Sequence, residues 1–177
     1  MTKNHQSILS KANGGCGCLL LIICIIGLGL VGPMLDYLLL DTQNQARKAK
    51  QSEAKMYLRS INKCQQAYFA EKNAFSSSVN ALGLGIKTET TTFKYSIRAT
   101  KKAAFNYAVT KEKDLKSYVG GVFLVPAKNF EPNAAKEEIT TTFILCGADF
   151  PGTIQPAEPT YKNGKIACGK GTMQVTK

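Results

Sequence analysis

Hydrophobic and polar positions divide this chain into three stretches of different rhythm. From Cys16 to Leu35 the sequence CGCLLLIICIIGLGLVGPML runs for 20 residues without a charge. At a helical rise of ~1.5 Å per residue such a run spans ~30 Å, the thickness of a bilayer core, so a transmembrane helix is expected. A signal peptide has a shorter apolar core followed by a small-residue cleavage site. This run instead reaches Gly32-Pro33 and resumes as Tyr37 to Leu40 after Asp36. A cleaved signal and a buried core helix are the alternatives. Lys3 and Lys11 before the run are matched by Arg47, Lys48, Lys50 and Lys55 after it, so the positive-inside rule does not decide orientation. Pro33 lacks an amide hydrogen and crowds the carbonyl of Gly29, which predicts a helix break at Gly29 and Pro33.

Residues 42–72 contain no Gly or Pro. Ala54, Tyr57, Leu58, Ile61, Cys64 and Tyr68 fall three or four apart, the spacing of one apolar stripe on an amphipathic helix. Gln51, Lys55, Arg59, Asn62 and Gln66 are assigned to the opposite, wet face. Nothing between Asp36 and Thr42 stops a helix, so one long rod is expected. Turn residues at Phe75-Ser-Ser-Ser and Leu82-Gly-Leu-Gly-Ile end it. Beyond them the period shortens to two. Phe93, Tyr95 and Ile97 alternate with polar neighbours, as do Phe105, Tyr107 and Val109, and each set suits a strand with one buried face. Residues 117–125 (SYVGGVFLV) and 139–146 (ITTTFILC) are denser and read as central strands, separated by a polar loop at 126–138. The predicted fold is α+β: a long N-terminal helix, its first half transmembrane, packed on an antiparallel sheet of about four strands. The predicted divisions are a basic cytoplasmic leader at 1–15, the membrane helix at 16–41, and a globular domain outside the cytoplasm at 42–177.

Composition narrows the chemistry. The chain has 177 residues, 23 basic against 12 acidic side chains, one His, at position 5, and no Trp. A His-based triad, a multi-His metal site and an imidazole base in the body are excluded. Gly164-Lys-Ile-Ala-Cys-Gly-Lys-Gly171 approaches a phosphate-binding loop, but Gly171 stands where Ser or Thr is required and only six residues follow. Glu137-Glu138 reads as a solvated loop pair. No catalytic set, cofactor site or metal site is identified. After Asp41 the chain carries 21 basic and 10 acidic residues. Lys101, Lys102, Lys111, Lys113 and Lys116 flank the strand bearing Phe105 and Tyr107, a candidate patch for DNA or an anionic polysaccharide. The competing reading is a solvated face whose aromatics point into the core.

Six cysteines complete the inventory. Cys146 and Cys168 bracket a turn-rich stretch with few core-forming residues. A bridge there would close a loop of ~23 residues and contribute roughly 3 kcal/mol; two reduced surface thiols are the alternative. A bridge would imply an oxidising compartment. Cys64, on the apolar stripe, is expected to be a buried free thiol. Cys16, Cys18 and Cys24 sit in or at the mouth of the apolar run, where the absence of His, Asp or Glu makes a poor metal site.

Taken together, the basic leader ending in Gly14-Gly15, the Gly- and Pro-containing hydrophobic helix, the segment QARKAKQSEAKMYLRSINKCQQAYFAEKNAFSSSVNALGLGI, SYVGGVF at 117–123 and the two-cysteine C-terminal region resemble type IV pilins and pseudopilins. The chain is most similar to the pilin-like G/H family of photosynthetic bacteria. The resemblance runs from Gly15 onward and is strongest over Ala46 to Ile86. It implies a structural subunit, a minor pilin or pseudopilin of a type IV pilus or type II secretion-type filament. The implied partners are a lipid bilayer, other pilin subunits and an ATP-driven assembly machine, and the implied location is a single pass in the inner membrane with the head in the periplasm or on a filament. It implies leader cleavage between Gly15 and Cys16, and a helix weakened at Gly29 and Pro33. One departure stands out. The family carries a glutamate at the fifth mature position, which pairs with a neighbour's new N-terminal amine; here that position is Leu20, and no acid occurs before Asp36. The alternative function is an anchored pilin-like protein that never polymerises and serves adhesion or binding of DNA or anionic glycan.

Overall fold

In the computed structural model, which describes residues 16–129 and 131–175 and side chains from residue 36 onward, one helix precedes all the strands. This helix, α1 (Cys16–Lys72), is 57 residues long. Helical residues lie on both sides of Gly29 and Pro33. The helix ends where Asn73 adopts φ 52° and donates its N–H to the Phe69 carbonyl at 2.8 Å, a left-handed C-terminal cap. The chain divides into two compact units, Met1–Gln45 and Ala46–Lys177. The leader, residues 1–15, lies outside the described residues.

Among the described residues, no helix is long and apolar enough to cross a membrane. From Arg47 onward α1 places a charge in every turn up to Lys63, as a surface helix packed on one side does, and the side chains of residues 16–35 lie outside those described. The expected single-pass inner-membrane location, with its periplasmic or filament-borne head, is corrected accordingly. It is not supported, and the bilayer is not retained as a partner.

The second unit is an antiparallel sheet with the C-terminal half of α1 on one face. Five strands pair in the order β1 (Phe93–Ala99), β2 (Ala103–Thr110), β3 (Tyr118–Pro126), β4 (Ile139–Ala148) and β7 (Thr172–Gln174). A separate hairpin joins β5 (Thr160–Lys162) to β6 (Lys165–Ala167). The expectation of about four strands missed β7 and the hairpin, each only three residues long, too short to show a period.

Ala54, Leu58 and Ile61 of α1 meet Phe93, Tyr95, Ala108, Tyr118 and Leu145 in a buried cluster between helix and sheet. The expected stripe is therefore the packing face. The expected wet face is not wholly wet, because Asn62 is fully buried, as is Gln65, a residue assigned to neither face. Asn62 accepts a 2.7 Å hydrogen bond from the Asn106 amide of β2. Gln65 donates to the Ser76 carbonyl at 2.7 Å and accepts from the Ser76 N–H at 2.9 Å, pinning the chain as it leaves the helix. Buried polar groups satisfied in this way fix one register, where an apolar stripe alone would let the helix slide. The Tyr95 hydroxyl is buried without a hydrogen-bond partner among the described residues, and burial raises its pKa.

Room for Asn62 comes from Gly120 of β3. A Cβ on Gly120 would lie 2.3 Å from Asn62 Oδ1. Gly120→Ala is therefore expected to cost about 2–3 kcal/mol, combining overpacking with a broken buried hydrogen bond. In urea titrations, pairing it with Asn62→Ala should cost clearly less than the sum of the two single changes, since the clash is with that side chain.

Candidate functional site: a fastened cover on the second face of the sheet

The central strands β2 and β3 are buried on both faces. On the side away from α1, Phe105 and Tyr107 of β2, Val119 and Phe123 of β3, and Ile144 and Cys146 of β4 form a second cluster, packed under Tyr161, Ile166 and Cys168. This places Phe105 and Tyr107 opposite the helix, while their neighbours Ala104, Asn106 and Ala108 turn toward it. Gly121 admits the cover as Gly120 admits the helix: a Cβ there would lie 2.5 Å from Cγ of the buried Pro159.

Two fastenings hold the cover. Cys146 and Cys168 are joined in a disulfide with Cα atoms 5.8 Å apart. Across the sheet, on its β1–β2 side, Arg98 Nε donates to Glu158 Oε1 at 2.6 Å, a second guanidinium nitrogen reaches Oε2, and the Tyr107 hydroxyl also donates to Oε1. The Arg98 guanidinium lies 4.6 Å from the centroid of the Phe105 ring, adding a cation–π contact. Hydrogen bonding to Arg98 holds the Glu158 carboxyl below its usual value of 4.5 against partial burial, with Tyr107 assisting. Burial, and then Glu158, push the Tyr107 phenol up to about 12.

The remaining residues singled out by sequence are not assembled into one site. Lys101 and Lys102 lie at the β1–β2 turn, whereas Lys111, Lys113 and Lys116 lie at the β2–β3 connection. An eight-residue strand separates them, roughly 25 Å at the usual rise. Lys111 pairs with Glu89 at 2.9 Å, and Lys116 donates to the Asp149 carbonyl at 2.8 Å. The aromatics meant to line the patch are buried beneath the cover. Cys64 is half-buried and unpaired, beside a shallow groove shared with Tyr68, Glu71 and Leu82. Cys16 is the first described residue of α1, while Gly15 falls outside. Gly164 and Gly171 have φ 75° and 73°, serving turns. Among the described residues, no group of three or more His, Cys, Asp or Glu side chains is placed to hold a metal.

The type IV pilin-like G and H family matches residues 51–169. The chain belongs to this family. The match covers two thirds of the sequence and takes in the packing part of α1, both glycines of β3, β1 to β6 and both disulfide cysteines. No curated protein and no solved structure matches. The pilin-like family is a structural one, and membership implies interaction with other pilin subunits.

A carboxyl with a folded-state pKa below its unfolded one binds fewer protons when folded. The Glu158 fastening therefore contributes fully above the unfolded value and is lost as pH falls through the lowered folded one. Thermal unfolding between pH ~5 and ~3 should show Glu158→Gln flattening the acid-side loss of stability relative to the parent. Cys168→Ser is expected to cost roughly 3 kcal/mol, the loop-closure contribution of a bridge spanning 22 residues of separation, measurable by urea unfolding without reductant.

Proposed function

We propose that this pilin-like protein is a minor pilin or pseudopilin, a structural subunit of a type IV pilus or type II secretion-type filament. The observation that supports the reading is the span of the family match. It covers the elements that give the head one rigid shape: the helix register set by Asn62, the paired glycines of β3 and the doubly fastened cover. A subunit in an ordered array needs surfaces at fixed positions more than it needs a cleft, and a sheet with both faces filled offers fixed surfaces. Cleavage between Gly15 and Cys16 would belong to the same role.

One feature favours a second reading, a pilin-like protein that does not polymerise and instead binds DNA or an anionic glycan: no carboxylate precedes Asp36 to align a neighbour's amine. Immunogold labelling of purified filaments from the host, compared with a strain lacking the assembly ATPase, decides between them. The subunit reading expects label along or at the tip of filaments, lost in the mutant. Clean filaments in the wild type would overturn it. Filter binding of DNA that is strong at low salt and falls steeply as salt rises would then support the second reading.

A further inference from the structure

Among the described residues, two apolar surfaces stand exposed. The first is a loop of the cover region. Phe150 and Ile154 are 80% and 81% exposed, beside a groove of about 370 Å³ that also involves Pro156 and Lys170. Their exposure does not reflect a loose backbone. The Gly152 N–H donates to the Leu115 carbonyl at 2.9 Å, and the Gly152 carbonyl accepts from the Ser117 hydroxyl at 3.1 Å. The Asp149 N–H donates to the Gly171 carbonyl at 3.0 Å, and Pro156 is buried. The loop is thus held firmly while it points two large side chains at water, an arrangement that lowers the ordering cost of docking.

The second surface is the α1 segment Asp36-Tyr37-Leu38-Leu39-Leu40-Asp41. Its four central residues are 73%, 50%, 54% and 61% exposed. At 100° per residue they cover the helix all round, and a helix that is apolar all round requires a partner. The charges of the two surfaces are complementary. Asp36 and Asp41 bracket the segment, and no ion pair engages either among the described residues. Lys170 is exposed at the groove, and no ion pair engages it among the described residues. The loop also carries Asp149, whose backbone carbonyl accepts a hydrogen bond from the Lys116 ammonium at 2.8 Å.

We infer that the Phe150–Ile154 loop of one copy docks on the Asp36–Asp41 segment of α1 in a second copy, with Lys170 of the first facing the carboxylates of the second. Two different patches meet, so the contact is heterologous: each copy keeps one patch free, and the series continues into an open assembly instead of closing as a dimer. The inference rests on the subunit reading above and names the partner of that subunit's exposed loop. Apolar burial supplies the adhesion, and the acid-basic pairing selects the register between copies that otherwise repel through their shared positive charge.

The test uses the full chain with Phe150 replaced by the photo-reactive analogue benzoylphenylalanine, in assemblies mixed from ordinary and ¹⁵N-labelled copies. Phe150 is exposed, so an unchanged urea midpoint verifies the fold. Illumination and mass spectrometry should place the adduct on residues 36–41 of the oppositely labelled copy. Lys170→Glu should reduce its yield at least fivefold, and mixing that variant with Asp36→Lys/Asp41→Lys copies should restore it. Adducts on residues 150–154 of the other copy, on an unrelated protein, or on no chain while assemblies persist would overturn the contact and leave the subunit reading intact. Failure of the unmodified chain to assemble at all would overturn both.

Discussion

The head is organised around two adjacent backbone positions in its central strand. Gly120 and Gly121 point to opposite faces of β3, and each leaves a space that a methyl group would close. Through the first, α1 comes near enough for Asn62 to reach Asn106; through the second, Pro159 lies flat on the strand. A strand ordinarily pays for interior glycine in conformational entropy and lost side-chain packing. Here the loss is offset by letting a helix on one side and an irregular segment on the other sit close to the same ribbon. The result is a three-layer body from about 130 residues, with buried clusters on both sides of the sheet.

The two outer layers are secured differently. The helix is held by apolar burial and by amides that fix its register, and at its edge by exposed ion pairs, Arg47 with Asp114 and Lys50 with Glu112, which contribute little individually. The cover has fewer apolar residues and relies on a covalent bond at one end and a charged cluster at the other. Its backbone therefore need not follow a regular ladder. It can carry a loop with outward apolar side chains without threatening the sheet beneath.

Much of this architecture was legible in the sequence. The stripe Ala54, Leu58, Ile61 is the packing face because a 3.6-residue period reports burial on one side of a helix. β1 alternates because only the helix covers it. β2 misled for the opposite reason: with both faces covered, Phe105 and Tyr107 were visible as a buried set, but small Ala104 and Ala108 and polar Asn106 hid the second one. Asn62 was assigned to water because a single chain does not reveal that Asn106 waits opposite. The Gly-Gly pair inside an apolar run was the available signal for close approach on both faces. The candidate lysine patch failed to assemble because residues adjacent to one strand lie at its two ends. Arg98, Tyr107 and Glu158, far apart in sequence, had no local pattern to betray them.

The position of the bridge also orders events in a newly made chain. Cys146 emerges within β4, after the helix and three strands of the sheet are available, whereas Cys168 follows almost everything else. The helix side of the sheet can close from what is already present. The other side, with Phe105, Val119 and Phe123, stays bare until the tail arrives and is oxidised. During that interval the head is a half-clad body with an adhesive flank, and the last few tens of residues act as its built-in chaperone.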